Sequence, residues 1–530
     1  MSNDISQNRS GLKEFLASIA TISGDLSNIT APPFVLADNS TVEIPQYWAD
    51  HPYLWAAPAT EEDPEKRALL VLKNFLGSLR GQQYGGRQEE DGVKKPLNAF
   101  LGELFLGSWD IEELGETRLV SEQVGHHPPV TACYLWNDRV GIRAEGFTEQ
   151  EITFSGNVAI KQMGYAIVHL DKYDEDYLLP LPNIKVKGLL SGVPHPELYG
   201  DYSLICSNGY ISHIHFEGKS LLGSGQKNGF HARFFHKDNP SDTIYTIQGT
   251  WNSTFSISDG HSEKEIETFD VRSIQHKPIT VAPLSSQDPW ESRKAWHDVI
   301  TALHNGDMKA VAAAKSKVET GQRQMRKDEE AAGETFQPIF FERVTNDPVF
   351  DKLVQYDGHH SYTVDHKAGI WKVDKEAAAT KASPFHPLRT PCNQPRAASQ
   401  SRHQDSGSSV STGNSNANTN SDSDSALEHS QGPRGNEKNV STNNYNYNHN
   451  HNHNSPTAVT AAAPAPAQNA VSLDRAGCDA TTTNTTPTPV AVVDPVLPAE
   501  PKSSSCSVED DEPSREQIED FLRARTGNVR

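Results

Sequence analysis

Residues 122–132 read EQVGHHPPVTA. Two adjacent histidines followed by two prolines cannot continue a helix, because proline lacks the backbone N–H and its ring clashes with the preceding turn. The residue before a proline is driven toward extended or polyproline geometry, which constrains His127. The pattern predicts a stiff extended edge presenting two imidazoles. Neighbours on a regular strand point to opposite sides. His126 and His127 can therefore meet one ligand only if the chain bulges or leaves the strand there.

Around this segment the texture is β. The runs FLGELFLG, TRLVSEQV, VTACYLW, VGIRAEGF, EITFSGNVAI, YAIVHL, IKVKGLL, YISHIHF, HARFFH, TIYTIQGTW and STFSIS fall between Phe100 and Asp270, separated by turn signals such as WNDRVG and SNGY. No helical crossover lies between them, so the sheet is expected to be antiparallel. About ten such strands suit a large barrel or curled sheet, wide enough to hold a ligand.

Helical patterns flank the strands. In GLKEFLASIATISGDLSNIT, residues 11–30, Leu12, Phe15, Leu16 and Ile19 recur at helical spacing, with Gly24 as the stop and a weakly charged opposite face. Such a helix serves as an ordinary packed element, a lid, or an element that inserts its apolar face into a membrane. Residues 62–82 read as a second helix with Ala68, Leu69, Leu72, Phe75 and Leu79 on its apolar face. Residues 289–332 read as two helices broken at Asn305–Gly306, and residues 335–375 close the domain with mixed, aromatic-rich sequence. The fold class is therefore α+β. From residue 380 the composition turns to Ser, Asn, Thr, Ala and Pro, including YNYNHNHNHN at 445–454. Too little apolar surface is present there to offset chain entropy, which predicts disorder. Within 506–530, SVEDDEPSREQIEDFLRAR reads as a short helix with Ile518, Phe521 and Leu522 as a small apolar face.

The formal charge is −21, with 12 basic against 16 acidic residues in 380–530 and 36 against 53 in 1–379. So acidic a domain is a poor nucleic-acid binder, since that binding rests on counterion release by basic surfaces, and any anion must meet a local cluster of cations. The five cysteines are odd in number and form no CxxC, which points to reduced thiols in the cytosol rather than a zinc site or disulfide framework. No apolar run approaches the ~20 residues needed to span a bilayer, and no secretion signal is evident. No GxSxG, P-loop or HExxH motif occurs, so the reading is of a non-enzyme requiring no cofactor. A metalloenzyme built on His126 and His127 is the rival class, although adjacent histidines rarely chelate one metal.

Two further stretches carry chemistry. KKPLNAFLGELF, residues 94–105, sets two lysines beside a proline as a stiff cationic corner. Lys315, Glu319 and Arg323 follow at i, i+4 and i+8, a positive-negative-positive run that reads either as a salt-bridged solvent face or as cations held for a phosphate.

EQVGHHPP resembles the fingerprint of the oxysterol-binding protein family, EQVSHHPP, with Gly125 in place of serine. KKPLNAFLGE resembles the family's KKPLNPFLGE, with Ala99 in place of the second proline, and QRQMRKDEE, residues 322–330, matches the family's helix in that region. The resemblance spans roughly residues 11–375 and is nearest in layout to the short fungal forms. It implies an N-terminal lid (residues 1–30) followed by a lipid-binding domain of residues 31–379, with a large incomplete antiparallel β-barrel around a lipid tunnel and a C-terminal helical subdomain. A tail (380–505) and a short helix (506–530) follow. It also implies that Lys95, Asn98, His126, His127, Lys315, Glu319, Arg323 and Ser27 grip the headgroup of phosphatidylinositol 4-phosphate. Lysine, arginine and imidazole N–H groups give charge-assisted hydrogen bonds to a phosphate, and a histidine beside it gains a proton. Gln83, Tyr84, Gln162, Leu12, Leu26 and Ile29 match sterol-contacting positions. Thr148 stands where a sterol-binding yeast relative carries Asn, and Leu12 where it carries a lid tryptophan. The implied protein exchanges sterol and phosphoinositide between organelle membranes from the cytoplasm, bound peripherally. A lipid sensor, a scaffold, or a carrier of phosphoinositide against another lipid are the alternatives.

Overall fold

The computed structural model describes residues 8–386 except 23, 27–28, 30, 190–191, 219–225 and 358–361. Ser27, the low-complexity stretch from 387 and the expected helix at 506–530 lie outside the described residues.

The chain opens with α1 (Arg9–Ile19), β1 (Leu36–Ser40), α2 (Pro52–Ala56), α3 (Pro64–Tyr84) and β2 (Lys95–Leu97). Thirteen strands follow: β3 (Leu104–Ile111), β4 (Gly115–His126), β5 (Pro129–Asn137), β6 (Ile142–Phe154), β7 (Val158–Leu170), β8 (Glu175–Leu179), β9 (Asn183–Lys187), β10 (His195–Cys206), β11 (Tyr210–Glu217), β12 (Gly229–His236), β13 (Tyr245–Thr250), β14 (Thr254–Asp259) and β15 (Glu265–Asp270). The helical part comprises α4 (Ser292–Ala295), α5 (His297–His304), α6 (Met308–Ala332), β16 (Phe341–Val344), α7 (Pro348–Leu353), β17 (Ile370–Val373) and α8 (Lys375–Thr380).

Strands β3 to β15 form one sheet whose pairs are all antiparallel, with β3 and β15 at its two ends. β8 and β9 share one place between β7 and β10: β8 pairs the end of β7 and β9 its beginning. Pro180 and Pro182 divide them, since neither can donate to a ladder. The Tyr202 hydroxyl bridges the break, accepting from Asn183 N at 2.8 Å and donating to Tyr199 O at 3.0 Å.

One face of the sheet wraps α3. Along β12, Phe230, Ala232 and Phe234 are buried while His231 and Arg233 face solvent, the period-two pattern of a half-buried strand. The buried set packs in one cluster with Leu72, Phe75, Leu76 and Leu79 of α3. Asp63 caps α3 by accepting from Glu65 N, Pro64 opens its first turn, and Gly85 ends it with φ +57°. Buried Arg67 fixes the helix to β8 by two bonds to Glu175, at 2.9 and 2.5 Å. A second cluster joins Leu12, Leu16 and Ile19 of α1 to the sheet, to Trp290 and Trp296, and to Val311 and Val318 of α6.

Three of these strands carry no strand signal in sequence. β15 is charged and mostly exposed, an edge strand without alternation. β10 contains Pro196 and Gly200, and β8 follows an acidic turn. Conversely, EITFSGNVAI is no single strand, because residues 155–157 turn between β6 and β7. The α1 helix stops at Ile19, short of Gly24.

Glu122 ties the helical part to the sheet. It is fully buried, and its carboxylate accepts from Ile339 N at 2.9 and 3.0 Å and from Phe340 N at 2.9 Å. Burial raises its pKa to about 7 against those stabilising bonds. Replacing Glu122 with Gln turns an amide donor toward backbone N–H groups. The expected result is a loss of about 1–3 kcal/mol in unfolding free energy, read from denaturant midpoints. An unchanged midpoint would show the clamp to be idle.

Candidate lipid-binding cavity and its cationic rim

A cavity of about 310 Å³ lies beneath α1, a size within the ~300–1,000 Å³ typical of small-molecule sites. Leu12, Phe15, Leu16 and Ile19 of α1 border it, together with Leu26 and Ile29 of the segment that follows. The apolar stripe read from the sequence thus turns toward the cavity. The segment is latched to the end of β6: Leu26 N donates to Ile152 O at 2.7 Å, and Asp25 Oδ1 accepts from Ile152 N at 2.8 Å.

The polar lining is sparse. Gln83 and Tyr84 reach the cavity because α3 ends beside it, and Gln162 reaches it from β7. The Gln162 side chain donates to Pro182 O at 2.6 Å, which orients the amide. Thr148 Oγ1 is buried and has no hydrogen-bond partner among the described residues. Such an atom costs free energy until a partner arrives. The six residues matched to sterol contacts in the sequence all line this one cavity.

Lys95 and Asn98 line it as well. The KKPLNAFLGE and EQVGHHPP blocks are joined by backbone: Gly102 N donates to Gln123 O and Gln123 N to Glu103 O, both at 2.9 Å. Gly102 holds φ +84°, and a Cβ there would lie 3.0 Å from Phe336. The adjacent histidines reach one side by the departure the strand geometry demanded. Gln123 pairs Thr131 and Gly125 pairs Val130, so Val124 is an extra residue in β4. A bulge of this kind re-aims the side chains beyond it. His126 then ends the strand, while His127 and Pro128 form the turn rather than an extended edge. The two imidazoles stand edge to face with centroids 4.6 Å apart.

Helix α6 supplies the remaining charge. Asp307 caps it by accepting from Lys309 N and Ala310 N, and Gly333 closes it. Lys315 is buried and bonded to Glu319. Lys95 is half-buried, and its pKa falls to about 8, first through burial and then through repulsion by Lys315, with Glu319 opposing. His126 is pushed down to about 4 by burial, then by Arg326 and His127. Burial and Arg326 also lower His127. Arg326 is therefore part of the cluster, although the sequence reading passed over it. Arg323, by contrast, is exposed and donates to Thr320 Oγ1 at 3.3 Å. Helix geometry explains this: eight residues from Lys315 rotate a side chain about 80° away, while eleven return it to within about 20°. Gln322, seven residues from Lys315, is buried with both amide atoms unpartnered among the described residues. The signal for Gln322 and Arg326 lies in QRQMRKDEE at i+7 and i+11 from Lys315.

Among the described residues no group of three His, Cys, Asp or Glu side chains could hold a metal ion, and no helix is long and apolar enough to cross a membrane.

The Oxysterol-binding protein family profile matches residues 15–375. The chain belongs to the oxysterol-binding protein family. Probable transporter efuK of Hormonema carpetanum is 54% identical over 380 residues, covering 71% of this chain and 54% of that protein. The chain thus spans about half the length of that relative. Protein kes1 of Schizosaccharomyces pombe is 39% identical over 346 residues, covering 64% of this chain and 89% of that protein. The crystal structure of the Osh1 ORD domain in complex with ergosterol shares the fold, with TM-score 0.53 and 22% identity over 68% of this chain and 86% of that one. The family is one of lipid-binding and lipid-transfer domains, and no catalytic function is indicated.

The charge pattern has a consequence for pH. Lys95 loses its proton through about pH 8 when no anion is bound. Above that pH an anionic headgroup must bring a proton with it, so its affinity falls. Extraction of a phosphoinositide from liposomes by the full chain is expected to weaken as pH rises through about 8. A flat profile across that range would remove Lys95 from the headgroup site.

Proposed function

We propose that this protein carries a sterol and phosphatidylinositol 4-phosphate alternately in one cavity and exchanges them between membranes. The observation that carries this reading is the position of Lys95. It lines the apolar cavity and is coupled to Lys315 and Glu319, so a cationic cluster opens directly onto apolar space. A ligand with an apolar body and an anionic head satisfies both parts. An isolated phosphate leaves the cavity unfilled, and a neutral lipid leaves the cations repelling one another.

Lys95, Asn98, His126, His127, Lys315 and Glu319 are assigned to the headgroup, with Arg326 and Gln322 added and Arg323 at the outer margin. Without a ligand His126 is neutral at pH 7, since its pKa is about 4. A bound phosphate reverses the balance of charge and favours its protonation. Leu12, Leu26 and Ile29 cover the lipid body, with residues 1–30 acting as a lid over the domain of residues 31–379. Gln83, Tyr84, Gln162 and the unpartnered Thr148 hydroxyl meet a sterol hydroxyl. A sterol fits what the relatives imply, since the Osh1 ORD domain has been crystallised with ergosterol and with cholesterol. The protein would act in the cytoplasm and touch organelle membranes peripherally.

Replacing His126 and His127 together with Ala is expected to abolish phosphoinositide extraction while leaving sterol extraction largely intact. The cations serve the phosphate, whereas a sterol hydroxyl needs only neutral partners. Loss of both activities in a protein that still unfolds cooperatively would refute separate headgroup recognition.

Exchange also demands mutual exclusion. Saturating phosphatidylinositol 4-phosphate is expected to displace labelled sterol from the protein, and sterol to displace the phosphoinositide, with reciprocal coupling. A gradient of one lipid then drives the other uphill. Sterol that stays bound at saturating phosphoinositide overturns the exchange reading and favours a sensor or scaffold.

A further inference from the structure

A second concavity lies away from the lipid cavity. It is a groove of about 600 Å³ between the α4–α5 segment and α6. Ala295, Val299, Ala314 and Val318 form its floor, and Leu284, exposed at 37%, its apolar lip. Lys294 and exposed Lys317 flank it, and Asp298 stands at its edge.

We propose that the chain's own segment 514–525 docks in this groove as a helix. In SREQIEDFLRAR, Ser514 and Gln517 have the spacing of a capping box. Ile518, Phe521 and Leu522 recur at i, i+3 and i+4, a short apolar stripe matched to an apolar groove. The stretch 509–525 that contains it is rich in acid up to Asp520, with Glu509, Asp510, Asp511, Glu512, Glu516 and Glu519 against Arg515, and then basic at Arg523 and Arg525. That order suits Lys294 and Lys317 on one side and Asp298 on the other. Most of the domain surface repels the acidic run 509–520, because residues 1–379 hold 53 acidic against 36 basic residues. A lysine-flanked groove is therefore a discriminating site.

Reach favours the same answer. Some 130 residues of Ser, Asn, Thr, Ala and Pro-rich sequence separate 386 from 514. A flexible chain of that length spans roughly 60 Å root-mean-square, which sets an effective concentration on the order of a millimolar. A contact too weak to form between separate molecules is then mostly closed within one.

The test is zero-length carbodiimide coupling of the full chain, read by peptide mass spectrometry. An equal mixture of unlabelled and ¹⁵N-labelled protein separates links within one chain from links between chains. Links from Lys317 or Lys294 to carboxylates of 509–520, within one chain and independent of concentration, are expected. They are expected to be lost in Phe521→Asp and in Leu284→Asp. The second change lies on the surface and leaves the fold intact. Links that run between chains, links that spread over other lysines, or links that survive both substitutions each overturn the proposal. The last two outcomes would leave the groove to a helix from a different protein.

Discussion

The structure is organised around basic groups that the fold holds together against the repulsion among their charged forms. Lys95, Lys315, Arg326 and the imidazoles of His126 and His127 come from three separated segments; Lys315 depresses the proton affinity of Lys95, Arg326 that of both imidazoles, and His127 that of His126. Left to themselves they would part. They stay because packing elsewhere leaves no other arrangement. The two sequence blocks share a backbone ladder, Glu122 clamps Ile339 and Phe340 behind them, and a well-capped 25-residue helix carries Lys315 and Arg326 into place. A site assembled this way is preorganised for an anion, since the unfavourable work of gathering cations is done during folding.

The same economy shapes the cavity. A curled sheet of this width would enclose a void, and α3 fills one part of it with Leu72, Phe75, Leu76 and Leu79. The other part stays open because α3 stops at Gly85, where Gln83 and Tyr84 face the space. The helix stop thus sets the limit of the packed core and the beginning of the binding space. Over that space lies α1, held by its own apolar stripe and by two bonds between residues 25–26 and Ile152. The cover proposed for residues 1–30 rests on this short helix and its latch to β6.

The electrostatics of the molecule are segregated by scale. The domain as a whole is acidic, which discourages broad adhesion to anionic surfaces, yet the phosphoinositide proposed as its ligand carries an anionic head. The conflict is resolved locally, by burying cations where the acidic exterior is screened and the dielectric is low. On the proposed function, recognition of a phosphate depends on reaching the rim of the cavity, and selectivity follows from access as much as from charge.

From the sequence alone came the α+β class, the antiparallel sheet, the helix faces, and two motif blocks specific enough to indicate family and ligand type. These are local properties: period, capping residues and rigid proline geometry are written within a few residues of one another. The six positions matched to sterol contacts, three aliphatic, two amide and one phenolic, were also legible, and tertiary structure brought them to one cavity. Other features were not. β15, β10 and β8 form because neighbouring strands offer them ladders, which overrides weak propensity. The convergence of His126 and His127 needed the extra residue at Val124, and a bulge is visible only when the partner strand is known. Arg326 displaced Arg323 as the inward cation because helix phase against a neighbour, rather than spacing within the helix, selects the face that is buried. Pairing, phase and burial are relations between distant segments, and only the folded chain decides them.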